Sequence, residues 1–339
     1  MNSWAWLLAA VIGSALMLLV VVTLFAYLTL FERVVIARFQ VRRGPNRVGP
    51  MGLLQPAADG VKLIFKESFI PAQASRTVYL MAPAIAVFAA LAAFAVLPLG
   101  LVNSSAPLPV GLERVGNVVT YQLANINVGI LFIFAVGAMN VYALVLGGWA
   151  SNSKYSLLGG LRSAAQLISY EMALGLSVLG VFILAHSVRV EDIVQAQGHL
   201  PFIVLQPLGF AIYLIAAAAE TNRAPFDLPE AEQELVAGYH TEYSGFKFAM
   251  FYMAEYINMI MVALLASMLF LAGWNWPVLP PIVWLVVKML FFLFLYVWVR
   301  ATLPRLRYDG LMRLGWKVLL PLGLINTMLT AVASVAFTR

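Results

Sequence analysis

The sequence contains no cysteine, only three histidines and few charges: 36 of its 339 residues, 11%, are Asp, Glu, Lys or Arg. Without cysteine there are no disulfides, no thiolate nucleophile and no Cys-ligated zinc or iron–sulfur cluster within the chain. His186, His199 and His240 share no metal-ligand spacing, so no self-contained metal or redox centre is expected. The small number of charges excludes a water-soluble domain, whose composition is normally about 25% charged. G-x-S-x-G, P-loop and helix-opening G-x-G-x-x-G patterns are also absent, and Gly147-Gly148 and Gly159-Gly160 merely bracket a polar turn.

What the chain has in abundance is apolar sequence: 63% of residues are hydrophobic, gathered into long runs. A membrane span takes about 20 apolar residues. Eight runs qualify, at about 2–31, 78–100, 118–149, 161–186, 201–219, 248–273, 279–303 and 316–337. The first has no basic segment before it and is too long for a signal-peptide core, so it reads as a retained helix. The expectation is an all-α polytopic membrane protein of about eight transmembrane helices, a single membrane domain over 1–339, with both termini on one side. Leu97-Pro98-Leu99-Gly100, the Asn103–Pro109 loop, Gly198 to Pro201, Pro277 and Pro280-Pro281 act as breakers.

The basic residues orient the bundle. The loops after the first, third, fifth and seventh helices hold eight, two, two and five Lys or Arg, 17 in all; the opposite side holds Arg114, Arg189 and Arg339. The positive-inside rule then places both termini on the periplasmic side. The same bias explains a pI near 9.5 without nucleic acid. With no transit peptide, a bacterial inner membrane is the expected location.

The first basic loop is more than a linker. Over 54–69, Leu54, Ala58, Val61, Phe65 and Phe69 recur at helical spacing, with Gln55, Asp59, Lys62 and Lys66 on the other face. This predicts an amphipathic helix lying in the membrane interface, either as a lipid anchor or as the roof of a cavity shared with a partner.

Carboxylates inside lipid cost at least about 2.5–3.5 kcal/mol each unless paired, hydrated or neutralised, so they mark function. Glu171 and Glu255 qualify, roughly 15 and 11 Å from the basic side at 1.5 Å per residue. If their helices face one another they share protons through water; otherwise they are protonated helix-to-helix hydrogen bonds. Lys288 is about 13 Å away in depth from Glu255, which favours a water-linked relay over an ion pair. Glu220, Asp227, Glu230, Glu232, Glu234 and Glu242 crowd into 23 residues between the fifth and sixth helices, as proton-binding groups or as a solvated docking surface. With Glu220 at the membrane surface, the expected series runs Glu220, Glu255, Glu171. A proton-conducting energy-coupling subunit and a secondary transporter both fit; the absence of paired mid-helix breaks leans against the transporter.

The loop sequences narrow the choice. Arg43-Gly44-Pro45-Asn46-Arg47-Val48-Gly49-Pro50, Gly52-Leu53-Leu54-Gln55-Pro56, Gly148-Trp149-Ala150-Ser151-Asn152-Ser153-Lys154-Tyr155, Gln166-Leu167-Ile168-Ser169-Tyr170-Glu171 and Glu220-Thr221-Asn222-Arg223-Ala224-Pro225-Phe226-Asp227-Leu228-Pro229-Glu230 closely resemble the H-subunit family of proton-pumping NADH:quinone oxidoreductase, respiratory complex I. The resemblance implies a membrane subunit that anchors the hydrophilic arm and builds much of the quinone tunnel. It implies partners in the membrane arm and in the quinone-proximal peripheral arm, and FMN and iron–sulfur clusters in those peripheral subunits rather than in this chain.

By resemblance, Glu171, Glu220 and Glu255 match the family's acidic channel, and Glu230, Glu232, Glu234 and Glu242 its acidic loop. Arg33, Arg38, Asp59, Lys62, Arg223 and Phe226 are candidates for the quinone cavity wall, the arginines being equally suited to phospholipid headgroups. Membrane-bound hydrogenases have an equivalent subunit without a quinone; the intact 43–50 and 220–230 stretches favour the quinone enzyme. Quinone reduction is then expected to change charge near the acidic loop and to pass that change along the buried glutamates.

Overall fold

The long charge-free runs become long helices, and the chain order shows where polar or β-branched residues interrupt them. The computed structural model describes residues 3–103, 112–115, 118–198, 200–227 and 237–337. Helices α1 (Ser3–Phe39), α2 (Gln55–Phe65) and α3 (Arg76–Phe94) lead into strands β1 (Leu99–Asn103), β2 (Leu112–Val115) and β3 (Val118–Tyr121). Then come α4 (Gly129–Ala150), α5 (Lys154–Ala185), α6 (Val190–Ala196), α7 (Phe202–Leu205) and α8 (Pro207–Glu220). The chain closes with α9 (Gly245–Phe270), α10 (Pro281–Thr302), α11 (Tyr308–Leu314) and α12 (Leu320–Phe337), the last two joined through a π-helical turn over Gly315–Leu319.

Among the described residues seven helices are long and apolar enough to cross a membrane: α1, α3, α4, α5, α9, α10 and the continuous rod of α11 and α12. The fifth expected span is not one helix. Gln206, at φ −130° and ψ 52°, breaks it into α7 and a 14-residue α8, because Pro207 brings no backbone N–H to continue the ladder.

Other boundaries differ from expectation as well. The runs at 78–100 and 118–149 each lose one end to an antiparallel sheet of order β1-β3-β2. Val118-Val119-Thr120-Tyr121 is β-branched and aromatic, a composition that suits a strand and that periodicity alone cannot separate from a buried helix end. The first helix runs on from Phe31 to Phe39, since Val34, Val35, Ile36 and Ala37 let it continue. The amphipathic helix stops at Phe65 rather than at Phe69. Past that point the chain is tied to α9: the Phe69 N–H donates to Ser244 Oγ at 3.2 Å and Lys247 Nζ donates to the Phe69 carbonyl at 3.3 Å.

Helix α9 is the hub of the bundle. Of its most apolar stretch 83% is buried, against 17% for α1. It touches α1, α2, α3, α5, α6, α7, α8 and α10. The outward side of α1, with Ile12 and Leu19 about two-thirds exposed, is left for lipid or a neighbouring subunit. Helix α2 buries none of its side chains, as an interfacial helix should.

The sheet sits at the end of the bundle remote from α2. Gly100 in β1 lies under the ring of Trp274, where a Cβ would come within 2.6 Å of Trp274 Cγ. At the same end Arg189 pairs with the buried Glu191 at 2.8 Å, and Thr120 Oγ1 donates to Glu191 at 3.3 Å. Gly100→Val should therefore destabilise this end by about 1–3 kcal/mol through overpacking, read as a lower thermal inactivation midpoint of the solubilised assembly. An unchanged midpoint would count against the Trp274 contact.

Candidate functional site

The site is assembled by three features of local sequence. The prolongation of α1 carries Glu32 and Arg33 on a helix instead of in a loop. Helix α8 ends at Glu220, and the turn after it, with Asn222 at φ +52°, directs Arg223 inward. Glu255, Tyr252 and Tyr256 share one face of α9 at helical spacing.

These elements meet in a buried charge cluster. Arg223, 6% exposed, places Nε 2.6 Å from Glu255 Oε1 and Nη1 3.8 Å from Glu32 Oε1. Arg300 from α10 also pairs with Glu32. Tyr256 donates its hydroxyl to Glu32 at 2.6 Å and lies 2.6 Å from the Tyr252 hydroxyl, while the Arg223 guanidinium stacks 4.2 Å from the centre of the Tyr256 ring. Two carboxylates and two guanidiniums thus balance, with a phenol supplying a further hydrogen bond. A buried charge is tolerated only on such terms.

On one side the cluster borders an open hollow of about 690 Å³ whose wall includes Glu32, Arg33, Gln40, Tyr252, Tyr256 and Arg300. A second hollow of about 950 Å³, lined by Arg38, Arg42 and Arg43, adjoins it through the Gly44-Pro45 segment. On the other side a cavity of about 10 Å³ links Glu255 to Glu220, with Asn140, Thr221, Asn222 and Asn258 in its wall. A further cavity of about 40 Å³ contains Glu220 and Glu171 and shares Asn140, Thr221 and Asn258 with the first. At roughly 10–15 Å³ per water, the two have room for about one and about three waters.

The order of the acids differs from the expected one. Glu220 does not stand at the surface above Glu255; it stands between Glu255 and Glu171, because α8 is short and its last turn falls within the bundle. Among the described residues, Glu171 and Glu255 are therefore linked through the cavities that meet at Glu220. Lys288 is remote from all three. Its ammonium bonds the Leu271 and Gly273 carbonyls at 2.6 Å each, below Trp276 and Trp284, where it caps the far end of α9.

Of the candidate cavity residues, Arg33 and Asp59 are joined at 2.5 Å and tie α2 to α1. Arg38 lines the second hollow and Arg223 lies behind the first. Lys62 is exposed on α2, and Phe226 is buried against Tyr170, 5.7 Å between ring centres, away from either hollow. Glu242 accepts the Tyr79 hydroxyl on its backbone carbonyl at 2.7 Å. Glu230, Glu232 and Glu234 lie outside the described residues. Among the described residues no group of three or more His, Asp or Glu side chains is placed to bind a metal.

Over residues 12–331 the chain matches the NADH dehydrogenase family. It is 54% identical to the NADH-quinone oxidoreductase H subunit of Thermomicrobium roseum, with 96% of each chain covered. An H subunit of the same enzyme from Geobacter metallireducens is 54% identical over 93% of each chain, and one from Syntrophobacter fumaroxidans 50% identical over 97% of each. The chain belongs to the H-subunit family of NADH-quinone oxidoreductase. It is thus a multi-pass membrane component of a multisubunit oxidoreductase, complex I, whose other subunits are its partners.

Within this member of the H-subunit family, Glu32, Tyr252, Tyr256, Arg300, Asn140 and Asn258 belong to the site without standing out in the sequence. Glu32 follows directly on the apolar run that ends at Phe31, where a loop is as natural as a further turn of helix. The two asparagines carry a usable signal, an amide inside an otherwise apolar run. Removing Arg223 leaves two buried carboxylates short of a cation, so Arg223→Met should cost about 3–5 kcal/mol, and adding Glu255→Gln should recover part of it. Thermal midpoints of the single and double variants measure both effects; strict additivity would refute the pairing.

Burial between Tyr239 and Phe248 pushes His240 down to about 4. Between pH 6.5 and 4 the unfolded state then binds more protons, so stability present above pH 6.5 is lost as pH falls. Melting of the assembled complex across that range should show the loss, and His240→Phe should abolish this contribution.

Proposed function

We propose that this chain forms part of the quinone cavity of NADH-quinone oxidoreductase and couples quinone reduction to proton translocation through Glu255, Glu220 and Glu171. The observation that carries this reading is the pair of adjoining cavities that meet at Glu220 and connect the ion-paired Glu255 with Glu171.

The 690 Å³ hollow has the size of a small-molecule site and offers aromatic faces from Tyr252 and Tyr256 with cations from Arg33 and Arg300. Quinone reduction builds negative charge on two oxygens and takes up two protons. Arg300 stabilises that charge, and in doing so is drawn away from Glu32. Arg223 then shifts toward Glu32 and releases Glu255. A carboxylate deprived of its cation in a poorly solvated site takes up a proton, which water held by Asn258 and Asn140 relays to Glu220 and on to Glu171. Lys288 takes no part in this path and serves as a helix cap.

In this reading flavin and iron–sulfur clusters belong to the peripheral-arm subunits, and the quinone is a substrate. The bundle is one membrane domain in a bacterial inner membrane with periplasmic termini, supported by the 17-to-3 distribution of basic residues. Arg38, Arg42 and Arg43 suit phospholipid headgroups at the basic face.

The test is Glu220→Gln in the assembled complex, reconstituted in vesicles. Quinone-linked turnover and proton translocation should both fall by about tenfold or more, with electron transfer to an artificial acceptor kept as the measure of complex present. Normal pumping in this variant would refute the path.

A further inference from the structure

Gln166 stands on α5 five residues before Glu171, about 7.5 Å along the helix axis, and its side chain is completely buried. Its Nε2 has two hydrogens, and both go to main-chain carbonyls: Ala219 at 2.8 Å and Phe226 at 2.9 Å, with the Asn222 side-chain oxygen further off at 3.4 Å. Ala219 is the residue before Glu220. Phe226 lies one residue past Pro225, at the approach to the acidic 228–236 segment. One carboxamide therefore joins the helix that carries Glu171, the last turn of the helix that carries Glu220, and the chain leading to the acidic loop.

The neighbouring contacts reinforce this joint without duplicating it. Tyr170, one turn further along α5, packs its ring on Phe226 and donates its hydroxyl to the Leu311 carbonyl at 3.0 Å. Ser169 accepts the Trp316 indole N–H at 3.0 Å. These bonds fix α5 to the rod of α11 and α12. Only Gln166, among the described side chains of this face, bonds to the end of α8. A residue required solely for packing would be apolar here, because burying an amide is costly unless its hydrogens are used.

We propose that Gln166 is a positioning residue of the proton path. Its amide holds Glu220 at its working separation from Glu171 and ties both to the backbone at Phe226. This rests on the proposed role of the three glutamates and adds to it the element that sets their spacing. Gln166 touches neither quinone nor a transferred proton; it acts through the backbone of Ala219 and Phe226.

The experiment uses the complete complex carrying Gln166→Met, which keeps the length of the side chain and removes its donors, or Gln166→Glu, which keeps its shape. Complex content is normalised by electron transfer to an artificial acceptor. Expected in both is a fall in kcat for quinone reduction of about tenfold, as for a misplaced reacting group, with KM for quinone unchanged and fewer protons moved per electron pair. Wild-type kcat and pumping in Gln166→Met would overturn the proposal. So would a parallel rise in KM, which would place the residue's influence at the quinone, and so would loss of the assembled complex in both variants, which would make it purely structural. Glu220→Gln run alongside separates the two readings: if it abolishes pumping while Gln166→Met does not, only the positioning role fails.

Discussion

Arg223 is the constraint on which the rest of this architecture depends. A guanidinium that is 6% exposed has to be met by carboxylates, and it is met from two directions, by Glu255 on α9 and Glu32 on α1, with Arg300 of α10 restoring the balance on the Glu32 side. To satisfy these pairings α1 must extend past the apolar run, α8 must stop short, and the turn after it must point inward. Three long helices and one short one are thereby held in register by charge rather than by apolar packing alone. In a bundle whose outer surface is as apolar as its core, packing discriminates weakly between registers, and a buried polar contact discriminates strongly.

The same constraint explains the composition of the interior path. Beyond Glu255 the cavity walls, among the described residues, include amides from Asn140, Asn222 and Asn258 and the hydroxyl-bearing Thr221, Tyr213 and Tyr239, and no further cation. Neutral donors and acceptors keep a few waters in place without trapping a proton, whereas a lysine among them would neutralise the acids permanently. Lys288, the lysine inside an apolar run, is kept at the far end of α9 with its charge spent on two carbonyls and two indole faces. In the proposed path, the acids that change protonation state are therefore kept apart from Lys288.

Much of this is legible in the amino-acid sequence. Long runs without charge become long helices, since in lipid only a helix satisfies its own backbone. The amphipathic stretch after the first span, the positions of Glu171, Glu220 and Glu255, and the basic loops all stand out because a charge in an apolar chain is rare. Membership of the H-subunit family is likewise visible in the loops. Where the sequence misleads, it does so locally: at the β-branched ends that become strands, at the proline that splits the fifth span, and at Glu32, a charge after an apolar run that continues the helix instead of ending it.

The sequence by itself determined that this is a mostly helical membrane subunit and which side chains are costly to bury in it, because those properties follow from composition and period along one dimension. Tertiary structure alone decided the order Glu255, Glu220, Glu171, the partnership of Glu32 with Arg223 and Arg300, and the reach of Gln166 from one helix to the end of another. Depth along a helix can be counted from residue numbers, but which helices are neighbours, and therefore which charges meet, depends on contacts between residues as far apart as Glu32 and Arg300.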